Sequence, residues 1–270
     1  MVVFHGDPCG IICLIIVYTA VFYADYVVVR HIVMPTMSDS LLGAGNVIIF
    51  NIIIFFIIIS HIRSVFSDPG TVPIPKTGID FSDHHAGQRL TRDNGWTVCM
   101  KCETYRPPRA HHCRVCRRCI KRMDHHCPWI NNCVGELNQK FFIQFLFYVG
   151  IACFYSVSLV VASWMIGPVD KLAEAGLHQT RIIHSSILVI ECILFGLFVV
   201  AIGCDQLQAI LNDETAVEYV KRQGKHHRGY VNKWSLLAEV FGDGSPMLWL
   251  CPFTASSSSS SPSTVEEFII

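Results

Sequence analysis

Charge is scarce in this sequence. Asp, Glu, Lys and Arg make up 16% of its 270 residues, where a soluble globular chain carries about 25%. The shortfall falls in blocks, which excludes an evenly solvated surface and points to segments that meet lipid. Net charge is missing as well, 21 basic residues balancing 21 acidic ones, so the average charge identifies no partner. No Lys or Arg precedes the first apolar run, and that run is too long for a cleaved signal; it is therefore read as a true membrane span. No internal repeat is visible.

Apolar residues and cysteine are abundant. Hydrophobic residues reach 51% and cysteines number 13. Four apolar stretches approach or exceed the roughly 20 residues that cross a bilayer: residues 11–29, Leu41 to Ile59, Phe142 to Ile166 and Ile182 to Leu207. They predict an all-α polytopic membrane protein of four transmembrane helices, with loops at 30–40, 60–141 and 167–181. Thirteen of the 21 Lys and Arg residues lie between positions 60 and 140. The positive-inside rule then puts the long loop, and with it both termini, in the cytosol. Lys221, Arg222, Lys225, Arg228 and Lys233 agree with that orientation, while Arg30, Lys171 and Arg181 fall on the far side.

The resulting organisation is spans 1 and 2 in 1–62 and a cytosolic cysteine-rich zinc and catalytic domain in 63–141, with its core at 99–138. Spans 3 and 4 occupy 142–207. A C-terminal segment, 208–250, is expected to pack on the catalytic domain, and a Ser-rich tail, 251–270, to be disordered around Ser256–Ser261. Glu191 in span 4 and Asn46 and Asn51 in span 2 read as interhelical hydrogen-bonding groups, because polar side chains in lipid need partners. Trp234, Leu237 and Phe241 share a helical edge suited to the bilayer or the catalytic domain. The final Phe268-Ile269-Ile270 has apolar side chains at alternate positions beside the terminal carboxylate, a pattern that a PDZ-type groove could add as a strand.

Seven cysteines lie between Cys99 and Cys133, in the pattern C-x2-C-x9-H-C-x2-C-x2-C-x4-D-H-H-C-x5-C. Histidines interleaved with cysteines at these spacings argue for metal ligands in a reducing compartment rather than disulfides. With His111, His112, His125 and His126 there are eleven candidate ligands, enough for two tetrahedral zinc sites with three residues left over. A RING-like module would close with a separate C-x2-C pair, and a nucleic-acid finger would carry H-x3-5-H and need no spans. A membrane-anchored zinc scaffold that only binds partners is the remaining alternative. The surplus points elsewhere. A cysteine thiolate is a strong nucleophile, an adjacent imidazole can take its proton, and an aspartate can orient that imidazole. Asp124, His125 and Cys127 supply these three groups within four residues, though spacing does not say which of His125 and His126 binds metal.

The loop closely resembles the cysteine-rich domain of the DHHC protein S-acyltransferases, the membrane palmitoyltransferases. The similarity rests on Pro108-Arg109, Asp124-His125-His126-Cys127-Pro128-Trp129, Asn132-Cys133, Gly135 and Asn138. It extends to Asp68-Pro69-Gly70 after span 2 and to Thr215-Ala216-Val217-Glu218 after span 4, which looks like the family's Thr-Thr-x-Glu with its second threonine replaced. Tyr230-Val231-Asn232-Lys233-Trp234 looks like its short C-terminal aromatic-and-asparagine motif. Within the family the chain is most similar to Golgi-type members that act on many substrates.

The resemblance implies two structural Zn2+ sites, one of Cys99, Cys102, His112 and Cys119, the other of Cys113, Cys116, His126 and Cys133. It leaves Cys127 as nucleophile, His125 as base, Asp124 as its orienter and His111 without a role. It implies palmitoyl-CoA or another long-chain acyl-CoA as cosubstrate, a ping-pong transfer, and cytosol-facing or membrane-associated protein substrates, with no nucleic acid. The basic run Arg114, Arg117, Arg118, Lys121 and Arg122 is the candidate contact for the CoA phosphates, or else meets anionic headgroups. Golgi membrane is the implied location.

Overall fold

The computed structural model describes residues 4, 6–38, 40–74, 95–166, 175–221 and 232–254. The C-terminal Phe268-Ile269-Ile270, Ser256–Ser261, Lys171, Arg222, Lys225 and Arg228 lie outside these. Among the described residues, four helices are long and apolar enough to cross a membrane: Pro8–Met37, Leu41–Phe66, Gln139–Met165 and Gly176–Asn212. The first comprises α1 (Pro8–Val27), a π-helical turn (Val28–Val33) and α2 (Met34–Met37). The others are α3 (Leu41–Phe66), α4 (Gln139–Met165) and α5 (Ala175–Asn212). At 1.5 Å per residue, even the 26-residue α3 is about 39 Å long, more than the roughly 30 Å of hydrocarbon.

Each helix is longer than its apolar stretch, although α4 ends one residue before Ile166. The expected loop at 30–40 is the clearest correction. Helix continues through Arg30 to Met37, because the wider π turn absorbs Val28–Val33 without breaking the backbone ladder. The remaining connection is closed by Ser40, whose Oγ accepts the Gly43 N–H at 3.1 Å. Gly43 is required there, since a Cβ would overlap the Met37 carbonyl.

The chain divides into two compact units. One is Ile12–Ile62 with Ile143–Gln206; the other is Met1–Ile11, Arg63–Phe142 and Leu207–Ile270. Within the first, polar groups are tied as lipid demands. Tyr155 donates to Asn46 Oδ1 at 2.6 Å between helices, whereas Asn51 only returns to its own helix at Val47 O, 3.0 Å. Arg181 is buried. Its Nη2 donates to Ser163 O and Oγ at 2.9 and 3.0 Å, and its guanidinium lies over Trp164 at 4.4 Å. Glu191 is half-buried near Tyr23, Cys153 and Cys192, and no hydrogen bond from a described neighbour reaches it.

The second unit is built on three antiparallel hairpins. They pair β1 (Thr97–Cys99) with β2 (Thr104–Arg106), β3 (His111–Cys113) with β4 (Arg118–Ile120), and β5 (His125–Cys127) with β6 (Asn132–Val134). Three-residue strands are too short to be stable alone. Their tight turns place Glu103, Arg117 and Asn131 at positive φ, as the links between hairpins do Arg109 and Arg122. Among the described residues this unit also holds three short helices: α6 (Ala216–Val220), α7 (Lys233–Phe241) and α8 (Pro246–Trp249).

Candidate functional site

Strand alternation sorts the loop's adjacent residues onto two faces. In an antiparallel pair, opposed residues share a face and successive ones alternate. His126 opposes Cys133 on one face of the β5–β6 hairpin, while His125, Cys127 and Asn132 belong to the other. The β3–β4 hairpin repeats the device. His112 opposes Cys119, and Cys113 lies on the opposite face. Two consecutive residues can therefore serve two different clusters.

Those clusters are Cys99, Cys102, His112 and Cys119, and Cys113, Cys116, His126 and Cys133. In each, the four ligand atoms lie within 4.8 Å of one another. His112 Nδ1 is 3.1 Å from Cys102 Sγ and 3.7 Å from Cys99 Sγ. His126 Nδ1 is 3.4 to 3.7 Å from the sulfurs of Cys113, Cys116 and Cys133. A tetrahedral zinc with Zn–S near 2.3 Å has edges of about 3.8 Å, so three sulfurs and a nitrogen at these separations fit that ion. None of the cysteines is in a disulfide. Crowding also separates their acidities: hydrogen bonds from Cys116 and Cys133 hold Cys113 far down, while Cys116 is pushed up to about 12 and Cys133 beyond it by the reciprocal contacts. A divalent cation removes that conflict.

On the opposite face of β5, His125 Nδ1 meets Asp124 Oδ2 at 2.7 Å. Burial works to lower the His125 pKa, but its hydrogen bonds to Asp124 and Cys127, and their charges, raise it to about 9. Asp124 and Cys127 are buried and His125 is part-exposed. Phe142 stands edge-on to the imidazole at 5.6 Å between centroids. The second Asp124 oxygen accepts the Ala216 N–H at 2.7 Å. That donor is backbone, so the missing threonine hydroxyl at 216 leaves this bond in place.

The segment carrying Ala216 is fastened by Thr215 and Glu218, the two residues expected to tie it to the zinc domain, together with Arg109 and Asp213. Thr215 and Glu218 form a capping box on α6. The Glu218 carboxylate also takes Arg109 Nε and Nη2 at 2.8 and 2.9 Å, and Asp213 Oδ1 takes Arg109 Nη1 at 2.6 Å. His111, left without a role by the sequence, is buried, and its Nδ1 receives Lys221 Nζ at 3.0 Å. Burial first, then the Lys221 charge, lowers its pKa to about 4, so it is a neutral acceptor. Pro108-Arg109 was visible as a motif, but its partners lie more than 100 residues away and no local signal names them.

The basic run is divided. Arg114 and Arg117 are exposed, and Lys121 is half-buried. Arg118 donates to Val72 O at 3.1 Å. Arg122 pairs with Glu239 at 3.0 Å and lies 3.5 Å from Asp213. Nearer the chain start, Gly10 abuts the turn after Cys127, where a Cβ would overlap the Asn131 amide.

A family model described as DHHC palmitoyltransferase matches residues 92–223. Palmitoyltransferase ZDHHC3 of Homo sapiens is 34% identical over 254 residues, covering 93% of this chain and 83% of the relative. The chain belongs to the DHHC palmitoyltransferase family. Palmitoyltransferase ZDHHC7 of Mus musculus is 33% identical over 252 residues, 93% of this chain and 80% of its own. Probable protein S-acyltransferase 16 of Arabidopsis thaliana is 38% identical over 205 residues, 74% and 66% respectively. Membership makes the chain an integral membrane S-acyltransferase of the palmitoyltransferase kind, and the bare scaffold reading falls away.

Proposed function

We propose that the protein transfers a long-chain acyl group from acyl-CoA to protein cysteines through an acyl-Cys127 intermediate, in ping-pong order. The observation that carries this reading is the Asp124–His125–Cys127 constellation, anchored by the Ala216 N–H and flanked by both cysteine clusters. Cys127 Sγ attacks the thioester carbonyl as a thiolate, its proton held on His125. The C–S bond to CoA breaks and His125 gives that proton to the departing CoA sulfur. A substrate thiol then returns its proton to His125, attacks the acyl carbonyl and expels the Cys127 thiolate. Asp124 keeps the imidazole in one orientation and favours its charged form.

Cys99, Cys102, His112 and Cys119 would hold one zinc, and Cys113, Cys116, His126 and Cys133 the other. The ions supply cross-links that short hairpins lack. Arg114 and Arg117, exposed and in no ion pair among the described residues, are the members of the basic run best placed for CoA phosphates; Arg118, Lys121 and Arg122 contribute background charge. The protein substrates present cysteines at the cytosolic face of the membrane. The resemblance to Golgi-type members supports that membrane as the location, with both termini cytosolic.

The test is incubation of purified protein with labelled palmitoyl-CoA, scoring a hydroxylamine-sensitive adduct and zinc content together. Wild type should be labelled, and Cys127→Ser should be unlabelled yet zinc-loaded. Wild type that is fully zinc-loaded but unlabelled overturns the proposal.

A further inference from the structure

The strap of chain between α8 and the Ser-rich tail is clasped by two cations. Lys140, in the first turn of α4, and Arg63, in the last turn of α3, both belong to the unit that holds the cysteine clusters. Lys140 Nζ donates to Thr254 Oγ1 at 2.6 Å and to Phe241 O, at the end of α7, at 2.8 Å. Arg63 Nη1 donates to Thr254 O at 3.3 Å and to Pro252 O, and its guanidinium lies 3.9 Å over the Phe141 ring. Lys140 is 1% exposed, so salt and water screen its charge little. These acceptors are neutral carbonyls and one hydroxyl. Of them, only the hydroxyl can be made anionic by a covalent modification.

Thr254 is suited to that change. Cys251–Thr254 lie outside every helix and strand, and Thr254 is part-exposed, so a kinase can take the strap without unwinding an element. Residues 254–264 hold nine Ser and Thr and no charged residue. Thr254 is the one among them that falls within the described residues, and it stands on a cation. Its O–H donates to Cys251 O at 3.0 Å. A phosphoryl group removes this neutral bond and brings about 1.5–2 negative charges beside Lys140, with Arg63 on the same residue's carbonyl. Charge-assisted bonds are roughly twice as strong as neutral ones, so the exchange tightens the clasp.

We propose that Thr254 is a phosphorylation site and that Lys140 and Arg63 receive its phosphate, fastening the strap after α8 to the ends of α3 and α4. The phosphoryl donor is ATP, presented by a Ser/Thr protein kinase. The Thr254 oxygen takes the γ-phosphoryl group, its proton passes to the kinase base, and ADP departs. This step rests on the cytosolic side proposed above for the C-terminal segment, where ATP is present; it is independent of the acyl-transfer mechanism. The clasp holds what lies between its contacts. Helix α7 ends at Phe241 on Lys140. Trp249 of α8 stacks on Phe241 at 5.4 Å and donates its Nε1–H to Gly242 O at 2.9 Å. Phosphorylation thus sets how firmly α7 and α8 sit on the two helix ends.

The experiment has two arms, both on the full-length protein. In the first, protein purified from eukaryotic cells under phosphatase inhibition has its tail peptides mapped by mass spectrometry, and phosphate on Thr254 is expected. Phosphate confined to Ser256–Thr264, or absent from the tail, overturns the proposal. An epitope at Ile270 that protease cannot reach in sealed microsomes sinks the cytosolic orientation instead. In the second arm, phosphothreonine is encoded at position 254 and its phosphorus resonance is titrated against pH in phosphorus-free detergent, beside the phosphopeptide of residues 248–260. The peptide should take its second ionisation near pH 6 and the protein about tenfold more readily, near pH 5. Lys140→Gln and Arg63→Gln should each move the protein back toward the peptide. A protein that titrates with the peptide has no cation on its phosphate and overturns the receptor, as does a midpoint that neither variant moves. If Lys140→Gln fails to fold, Arg63→Gln and the peptide still decide.

Discussion

Removing the Glu218 carboxylate tests how the C-terminal segment serves the catalytic dyad. Glu218 binds Arg109 with both oxygens and caps α6 by accepting the Thr215 N–H at 2.8 Å. The side chains are 6% and 1% exposed for Arg109 and Glu218, so solvent screens the pair little. Removing one partner of a buried ion pair costs about 3–5 kcal/mol. Asp213, still 2.6 Å from Arg109, reduces that figure, and the lost half of the capping box adds about 1 kcal/mol. Glu218→Ala should therefore destabilise by about 3–4 kcal/mol. Ala216 then drifts from Asp124, and a misplacement near 1 Å typically costs about 100-fold in rate. The paired change Arg109→Met with Glu218→Leu removes both charges and should recover most of the stability, while Asp213 keeps Arg122 at 3.5 Å. The assays are thermal unfolding in detergent with zinc content, and single-turnover autoacylation. If Glu218→Ala melts within about 1 kcal/mol of wild type and acylates at full rate, the clamp is not what holds Asp124.

Gly10→Ala should slow autoacylation, because the new Cβ overlaps the Asn131 amide beside the Cys127 turn; Gly6→Ala, with nothing within 4 Å, should leave the rate unchanged. Equal rates for the two variants would dismiss the contact. His125 has its folded pKa raised to about 9, above the ordinary value near 6.5. Its charged form thus stabilises the fold fully below about 6.5, and that contribution fades as pH rises through about 9. The attack step should likewise hold to about pH 9 and then fall as His125 loses the proton destined for CoA. Asp124→Asn should pull that alkaline limb down by a unit or more, read from single-turnover rates against pH; an unmoved limb would remove Asp124 from its role.

Spans were legible because lipid selects for long apolar runs, and α3 and α4 begin within three residues of the expected starts. Their ends were less legible, since a helix may leave the hydrocarbon and still satisfy its own backbone. Span 4 illustrates this. Its apolar stretch begins at Ile182, but the helix starts at Ala175 and carries Arg181 inward onto Ser163 and Trp164. Cysteine spacing exposed the ligand residues, while the three-residue strands that distribute them are too short for alternation to stand out. Arg109, Asp213, Lys221 and Lys140 were beyond reach for another reason. Each acts on a partner about 100 residues away, as Lys140 does on Phe241 O at 2.8 Å and Thr254 Oγ1 at 2.6 Å.

The answer to why two histidines stand together at 125 and 126 lies in the period of a strand. A cluster ligand and a catalytic base have opposed needs: the first must face a cation with its lone pair, the second must exchange a proton. Consecutive strand residues point to opposite faces, so His126 turns to Cys133 and His125 to Cys127 with no extra backbone between them. The ligands on one face then stiffen the backbone from which the other face works. Stiffness alone does not place the nucleophile, since a rigid hairpin can still slide as a body. That freedom is removed from two sides. Ala216, held through Glu218 and Arg109, fixes Asp124, and Asn132, opposite Cys127, donates to the carbonyls of Ser64 and Val65. Cys127 itself belongs to neither cluster, so on the proposed mechanism its replacement by serine should cost acylation and spare zinc content, whereas Cys133→Ser, which removes a member of a cluster from the strand paired with Cys127, should cost both.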